Sequence, residues 1–150
     1  MKYKTIGAYK QVSNVGDCVA QTELKVGMGV ELDRANKTAA LPTDATAVYY
    51  IVTNINDKPE KTTYPEAVVV EEGEFVRADD LTTVQNLEIE FSAHEIDTDY
   101  DTVAVGDSLV FNTDGLLEVA TDASGYKVYF EVTEKTLYMG SGVLAVIRVN

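Results

Sequence analysis

The sequence predicts an all-β fold made of small β-barrel or β-sandwich units, internally duplicated. Three observations predict it. Apolar and polar residues alternate along most of the chain, glycine-bearing turn sequences separate the alternating runs, and one strand–turn–strand pattern occurs twice.

The alternation comes first. Val26, Met28, Val30 and Leu32 alternate with Gly27, Gly29 and Glu31. Leu87, Ile89 and Phe91 alternate with Glu88 and Glu90, and Val128, Phe130 and Val132 with Tyr129 and Glu131. Successive side chains of a strand point to opposite faces, so this period predicts one apolar and one polar sheet face. Residues 48–52 (VYYIV) and 143–147 (VLAVI) are nearly continuous apolar runs, which suit central strands covered on both faces. β-Branched residues and tyrosines dominate these runs and favour strand over helix.

The turns follow. Glu71-Glu72-Gly73, Thr113-Asp114-Gly115, Ala123-Ser124-Gly125 and Met139-Gly140-Ser141-Gly142 all offer a glycine where a hairpin needs positive φ. Residues 56–61 form a polar loop containing Pro59. Short strands with regular turns indicate a sandwich or barrel.

The repeat is the third observation. Residues 26–53 and 105–133 both open with Val-Gly (Val26-Gly27, Val105-Gly106). Both carry Thr-Asp-Ala in the middle (Thr43-Asp44-Ala45, Thr121-Asp122-Ala123) and close with Val-Tyr-aromatic-x-Val-Thr at 48–53 and 128–133. Val30 and Leu32 match Leu109 and Phe111 between them. The expected organisation is a first β-unit with an N-terminal arm over residues 1–85 and a second, related unit over 86–150, packed as lobes or merged into one domain.

Composition narrows the function. The chain has 150 residues, 45% of them apolar, which is enough for a core. A net charge of −13 argues against a grip on nucleic acid, which runs on Lys and Arg. No stretch approaches the roughly 18–20 apolar residues of a membrane span. The opening MKYKTIGAYKQVSN has no apolar core of a secretory signal, so none is expected. The first ten residues hold Lys2, Lys4 and Lys10 and no acid, a short basic arm suited to an acidic partner. Cys18 is the only cysteine, which excludes an intrachain disulfide and fits a small buried residue.

Catalytic patterns are sparse. The one histidine, His94, limits base catalysis to itself or a carboxylate. No phosphate-cradling glycine loop, serine elbow or paired C-x-x-C motif occurs. These blanks point away from an enzyme and from any cofactor other than Ca²⁺. Asp97, Asp99 and Asp101 are the candidate Ca²⁺ ligands, because Ca²⁺ collects roughly six to eight oxygens. Thr102 stands where an EF-hand has its glycine, and Ser108 where it has its bidentate glutamate, so a solvated acidic loop is the competing reading. The paired acids Asp79-Asp80 and Glu71-Glu72 lack any sign of the fixed separation that glycoside hydrolysis needs. Tyr49, Tyr50, Tyr126, Tyr129 and Tyr138 are candidates for stacking on a sugar or a protein partner, or for half-buried rim positions.

The doubled pattern at 26–45 and 105–123 resembles small head decoration (auxiliary capsid) proteins of tailed bacteriophages. The resemblance covers roughly residues 24–55 and 103–135. It implies a compact β-barrel or β-sandwich and a homo-oligomer that binds the major capsid protein, or another virion protein, on the outside of the shell. It also implies a place in the virion after synthesis in the host cytoplasm. Within it, Lys2, Lys4, Lys10, Tyr3 and Tyr9 are the expected partner contacts. A carbohydrate- or receptor-binding β-module of a fibre or surface protein is the alternative.

Overall fold

The computed structural model describes residues 1–4, 11–55 and 68–150. The loop expected at 56–61, and Tyr9 and Lys10, lie outside them. Among the described residues the fold is all-β, with short 3-10 turns and no α-helix. The strands are β1 (Lys2–Tyr3), β2 (Ser13–Ala20), β3 (Leu24–Lys25), β4 (Gly29–Asp33), β5 (Thr38–Ala40), β6 (Tyr50–Val52), β7 (Val69–Val70), β8 (Phe75–Asp80), β9 (Glu88–Ser92), β10 (Ser108–Phe111), β11 (Leu117–Ala120), β12 (Val128–Thr136) and β13 (Gly142–Val149).

Five strands close into a barrel in the order β2-β5-β4-β6-β8, and six form a sheet in the order β1-β9-β13-β12-β10-β11. β3 and β7 make a separate antiparallel pair. One pairing scheme runs through both larger arrays. In the barrel β4 lies between β5 and β6, β6 pairs with β8, and β8 with β2. In the sheet β10 lies between β11 and β12, β12 pairs with β13, and β13 with β9. A parallel contact links the ends of each scheme: β2 with β5, and the bridge Ile96–Leu117 next to β9 and β11. The match extends to single bonds. Gly27 N–H donates to the Val52 carbonyl at 2.9 Å, and Gly106 N–H to the Val132 carbonyl at 2.8 Å. Val52 returns a bond to Met28, and Val132 to Asp107, both at 2.9 Å.

Two apolar clusters form the core. Val15, Cys18, Leu24, Val30, Val52 and Val76 fill the barrel. The other cluster holds Phe91, Phe111 and Phe130, with Phe130 meeting the other two edge-on at centroid distances of 4.9 and 5.3 Å. It also takes Tyr3, Val48, Ile51, Leu81 and Val84 from the first 85 residues, so this core spans both halves of the chain.

Several local expectations are corrected. Gly73, Gly115 and Gly140 have positive φ, but Gly125 and Gly142 do not. Gly142 opens β13, and a Cβ there would lie 2.5 Å from the Phe91 carbonyl oxygen. Glu90 is buried rather than solvent-facing, with β9 an inner strand that sets it between Lys2 of β1 and Leu144 of β13. Lys2 and Tyr3 of the expected arm form an edge strand, with Lys2 opposite Glu90 and Tyr3 opposite Ile89, and residues 5–10 lie outside the described residues.

Candidate partner-binding cleft

A cavity of about 660 Å³ is lined by residues of the β3–β7 pair, the segment that leads into β4, and the second half of the chain. Lys25, Val26, Gly27, Met28 and Val69 from the first half of the chain line it together with Ser92, His94, Glu95, Leu116 and Met139 from the second. The volume falls in the range of about 300–1,000 Å³ common for ligand sites.

Glycines set the distance between its walls. Gly29 N–H donates to the Gly115 carbonyl at 2.8 Å, tying β4 to the β10–β11 turn. A Cβ on Gly29 would fall 2.5 Å from the Phe111 ring, so no larger residue fits without displacement. A Cβ on Gly27 would lie 2.0 Å from Glu95 Oε1, and φ of +93° already disfavours a side chain there.

The polar groups of the cleft divide into engaged and free. Glu95 is buried and ends a capping box, with its Oε2 accepting from Ser92 N–H at 2.6 Å and Ser92 Oγ–H at 3.1 Å. Its Oε1 pairs with the Met1 amine. Lys25 is exposed and reaches Glu23 only at 4.0 Å, a pair weakened by solvent. His94 is exposed at the rim and has no hydrogen bond or ion pair among the described residues.

A hairpin tip overhangs the cleft. Between β12 and β13 the chain makes a 3-10 turn at Tyr138–Gly140. Leu137 is 88% exposed and Met139 is 37% exposed, a large apolar outlay for a turn. Met139 holds φ of +55°, a left-handed conformation that costs a non-glycine residue about 1–2 kcal/mol. Ile55, Phe75 and Val105 are the other large exposed apolar side chains among the described residues.

The residues singled out in the sequence are differently placed. Lys2 and Lys4 reach Glu90 Oε2 at 3.0 and 3.5 Å, so an acid of the same chain already meets both charges. Tyr3 is buried, with its hydroxyl donating to Asp79 at 3.3 Å. Asp79 is buried and also accepts from Asn14 at 2.7 Å. Asp80 instead caps the turn at Leu81–Val84.

Asp97, Asp99 and Asp101 do not converge. Asp97 accepts from Asn112 at 3.2 Å, while Asp99 caps its own turn through Asp101 N–H at 3.1 Å. Among the described residues no group of three or more His, Cys, Asp or Glu is placed to hold a metal ion. Thr102 continues this turn, donating its hydroxyl to the Asp99 carbonyl at 2.7 Å, so Asp99 is held by an Asx-type local bond.

The five tyrosines are all half-buried. Lysine ammoniums lie 4.1 Å from the Tyr49 ring centre (Lys127), 4.4 Å from that of Tyr138 (Lys2) and 4.3 Å from that of Tyr100 (Lys135). The cleft and the Leu137–Met139 tip were missed in the sequence. The tip was read only as a glycine turn, although Leu137 and Met139 flank Tyr138 there without a polar residue between them. Compared with protein-family models and with curated proteins, the chain matches no family model and none of the curated proteins.

Proposed function

We propose that this chain is a non-enzymatic structural protein of a virion, which decorates the outside of a capsid shell and stabilises it by binding. The observation that carries the reading is the pair Leu137 and Met139, held in the open at a tight hairpin on a well-packed β-scaffold. Exposed apolar side chains are worth most when a partner removes them from water. A shell protein that binds only the assembled form shifts unfolding and dissociation by mass action.

Two further features support contact over chemistry. Most ionisable groups described above are tied into caps or pairs, as in Glu90 with Lys2 and Lys4, and Arg148 with Glu131 at 2.8 Å. Lysines already cover one face of several tyrosines, which leaves fewer open rings than a glycan-binding module would use. A net charge of −13 keeps free copies apart before they meet the shell.

The test is direct. Particles are purified with and without the chain, their proteins identified by mass spectrometry, and shell melting followed by calorimetry. The chain is expected on intact particles, and shells lacking it are expected to melt at lower temperature. Absence from particles, or identical melting of the two shells, would overturn the reading.

A further inference from the structure

We infer that the cleft beneath the Leu137–Met139 hairpin receives an apolar peptide segment of the partner protein that carries a carboxylate. The inference rests on the reading of this chain as a docking protein and names what it grips. The cleft walls supply Val26, Met28, Val69, Leu116 and Met139, an apolar lining for an apolar side chain. Met28 and Met139 both line the cleft, and their unbranched thioether side chains adapt to the shape of what enters.

The charge preference follows from which polar groups are free. Glu95 has both oxygens engaged by groups of its own chain. Lys25 is met only by Glu23 at 4.0 Å, and His94 is exposed with no hydrogen bond or ion pair among the described residues. In a molecule of net charge −13, the side chains of this cleft offer the Lys25 and His94 donors while its one carboxylate, Glu95, is already engaged. A carboxylate flanked by apolar groups satisfies them, whereas an ammonium would meet Lys25 as a like charge. The strained Met139 backbone fits the same role, since strain is kept where a side chain must be aimed.

The experiment uses the full chain and three dye-labelled hexapeptides of alternating leucine and valine, with glutamate, glutamine or lysine at one internal position. Fluorescence anisotropy gives the affinities. The glutamate peptide is expected to bind about tenfold more tightly than the lysine peptide. Met139→Glu is expected to weaken it by about tenfold, with Met139→Ser as a milder variant and thermal unfolding confirming that both fold. Lys25→Gln combined with His94→Gln should bring the glutamate and glutamine peptides to similar affinity. Equal binding of the glutamate and lysine peptides, or indifference to both Met139 variants, overturns the proposal. So does binding of decanoate at the cleft with no peptide bound, which would assign it to a free fatty acid. Particle association of the unaltered chain is measured in parallel. Particle binding without peptide binding removes the cleft assignment and leaves decoration standing; peptide binding without particle binding removes decoration alone.

Discussion

Gly29 and Phe111 meet so closely that the hydrogen of the glycine occupies the only space available: a Cβ in its place would lie 2.5 Å from the ring carbon Cγ. β4 of the barrel and β10 of the sheet are thus in direct contact, with the Gly29–Gly115 hydrogen bond beside them.

Gly29→Ala is therefore expected to destabilise the fold by about 1–3 kcal/mol, as overpacking of a rigid site does. Phe111→Leu made in the same chain should recover part of that loss, because the two changes share one contact. Urea unfolding of the two single variants and the double variant checks this. Additive losses would mean that the contact is not where the cost arises.

Glu90 makes a pH-dependent contribution. Burial pushes its carboxyl up, but the Lys2 ammonium, Thr136 and the charge of Lys4 outweigh burial and hold it below the ordinary value of 4.5. A carboxyl lowered by folding stabilises the fold fully above its unfolded value and loses that effect as pH falls through the folded one. Glu90→Gln should cost about 1–2 kcal/mol at pH 7, a figure moderated by the half-exposed lysines. The gap between variant and parent should close as pH drops below 4.5. Thermal melting between pH 7 and pH 3 reads both effects.

Met139→Gly should raise stability by about 0.5 kcal/mol, the relief of a left-handed backbone less the added freedom of the unfolded chain. The same change is expected to weaken association with particles. Leu137→Ser, at a side chain open to water, should alter stability by no more than about 0.5 kcal/mol while also weakening association. Melting curves and particle co-sedimentation separate the two effects. A Met139→Gly chain that is less stable than its parent would show the turn to be unstrained.

Cys18 should be inert in the folded chain. It is fully buried, and burial, followed by the charge of Asp17, raises its thiol above the ordinary 9.0. The thiolate is the reactive form, so an aromatic disulfide reagent should modify it at the rate of global unfolding. Labelling rates in increasing urea test this, and rapid labelling in native buffer would place the thiol at an open site.

The sequence shows the fold class through residues whose environment is local. Val128, Phe130 and Val132 alternate as read and are buried, and Val143 to Ile147 lie in β13 between β9 and β12. The two Val-Gly segments adopt matching hydrogen bonds at Gly27 and Gly106, and in each a glycine with positive φ lies two residues before the strand. What stayed hidden depends on distant partners. Glu90 reads as a polar face until β1 is known to lie across it, and Tyr3 reads as part of an arm until that same pairing buries it. The cleft joins residues from Lys25 to Met139, and no spacing in one segment announces such a convergence. Gly29 appears as a mere alternating position, since the ring that excludes a side chain comes from Phe111, far along the chain.

The closure of the barrel by β2 and β5 carries a further consequence. An open edge strand is a template for a neighbouring chain, and crowded copies with such edges zip into fibres. In the barrel that template is consumed by the parallel β2–β5 pair; in the sheet the outer side of β11 is engaged by Ile96, Asp97 and Thr98, and the other edge is the two-residue β1, with Lys2 in it and Lys4 beside it. A short, charged edge of this kind gives a second copy little ladder to extend, so crowding alone is not expected to join copies into a continuous ribbon.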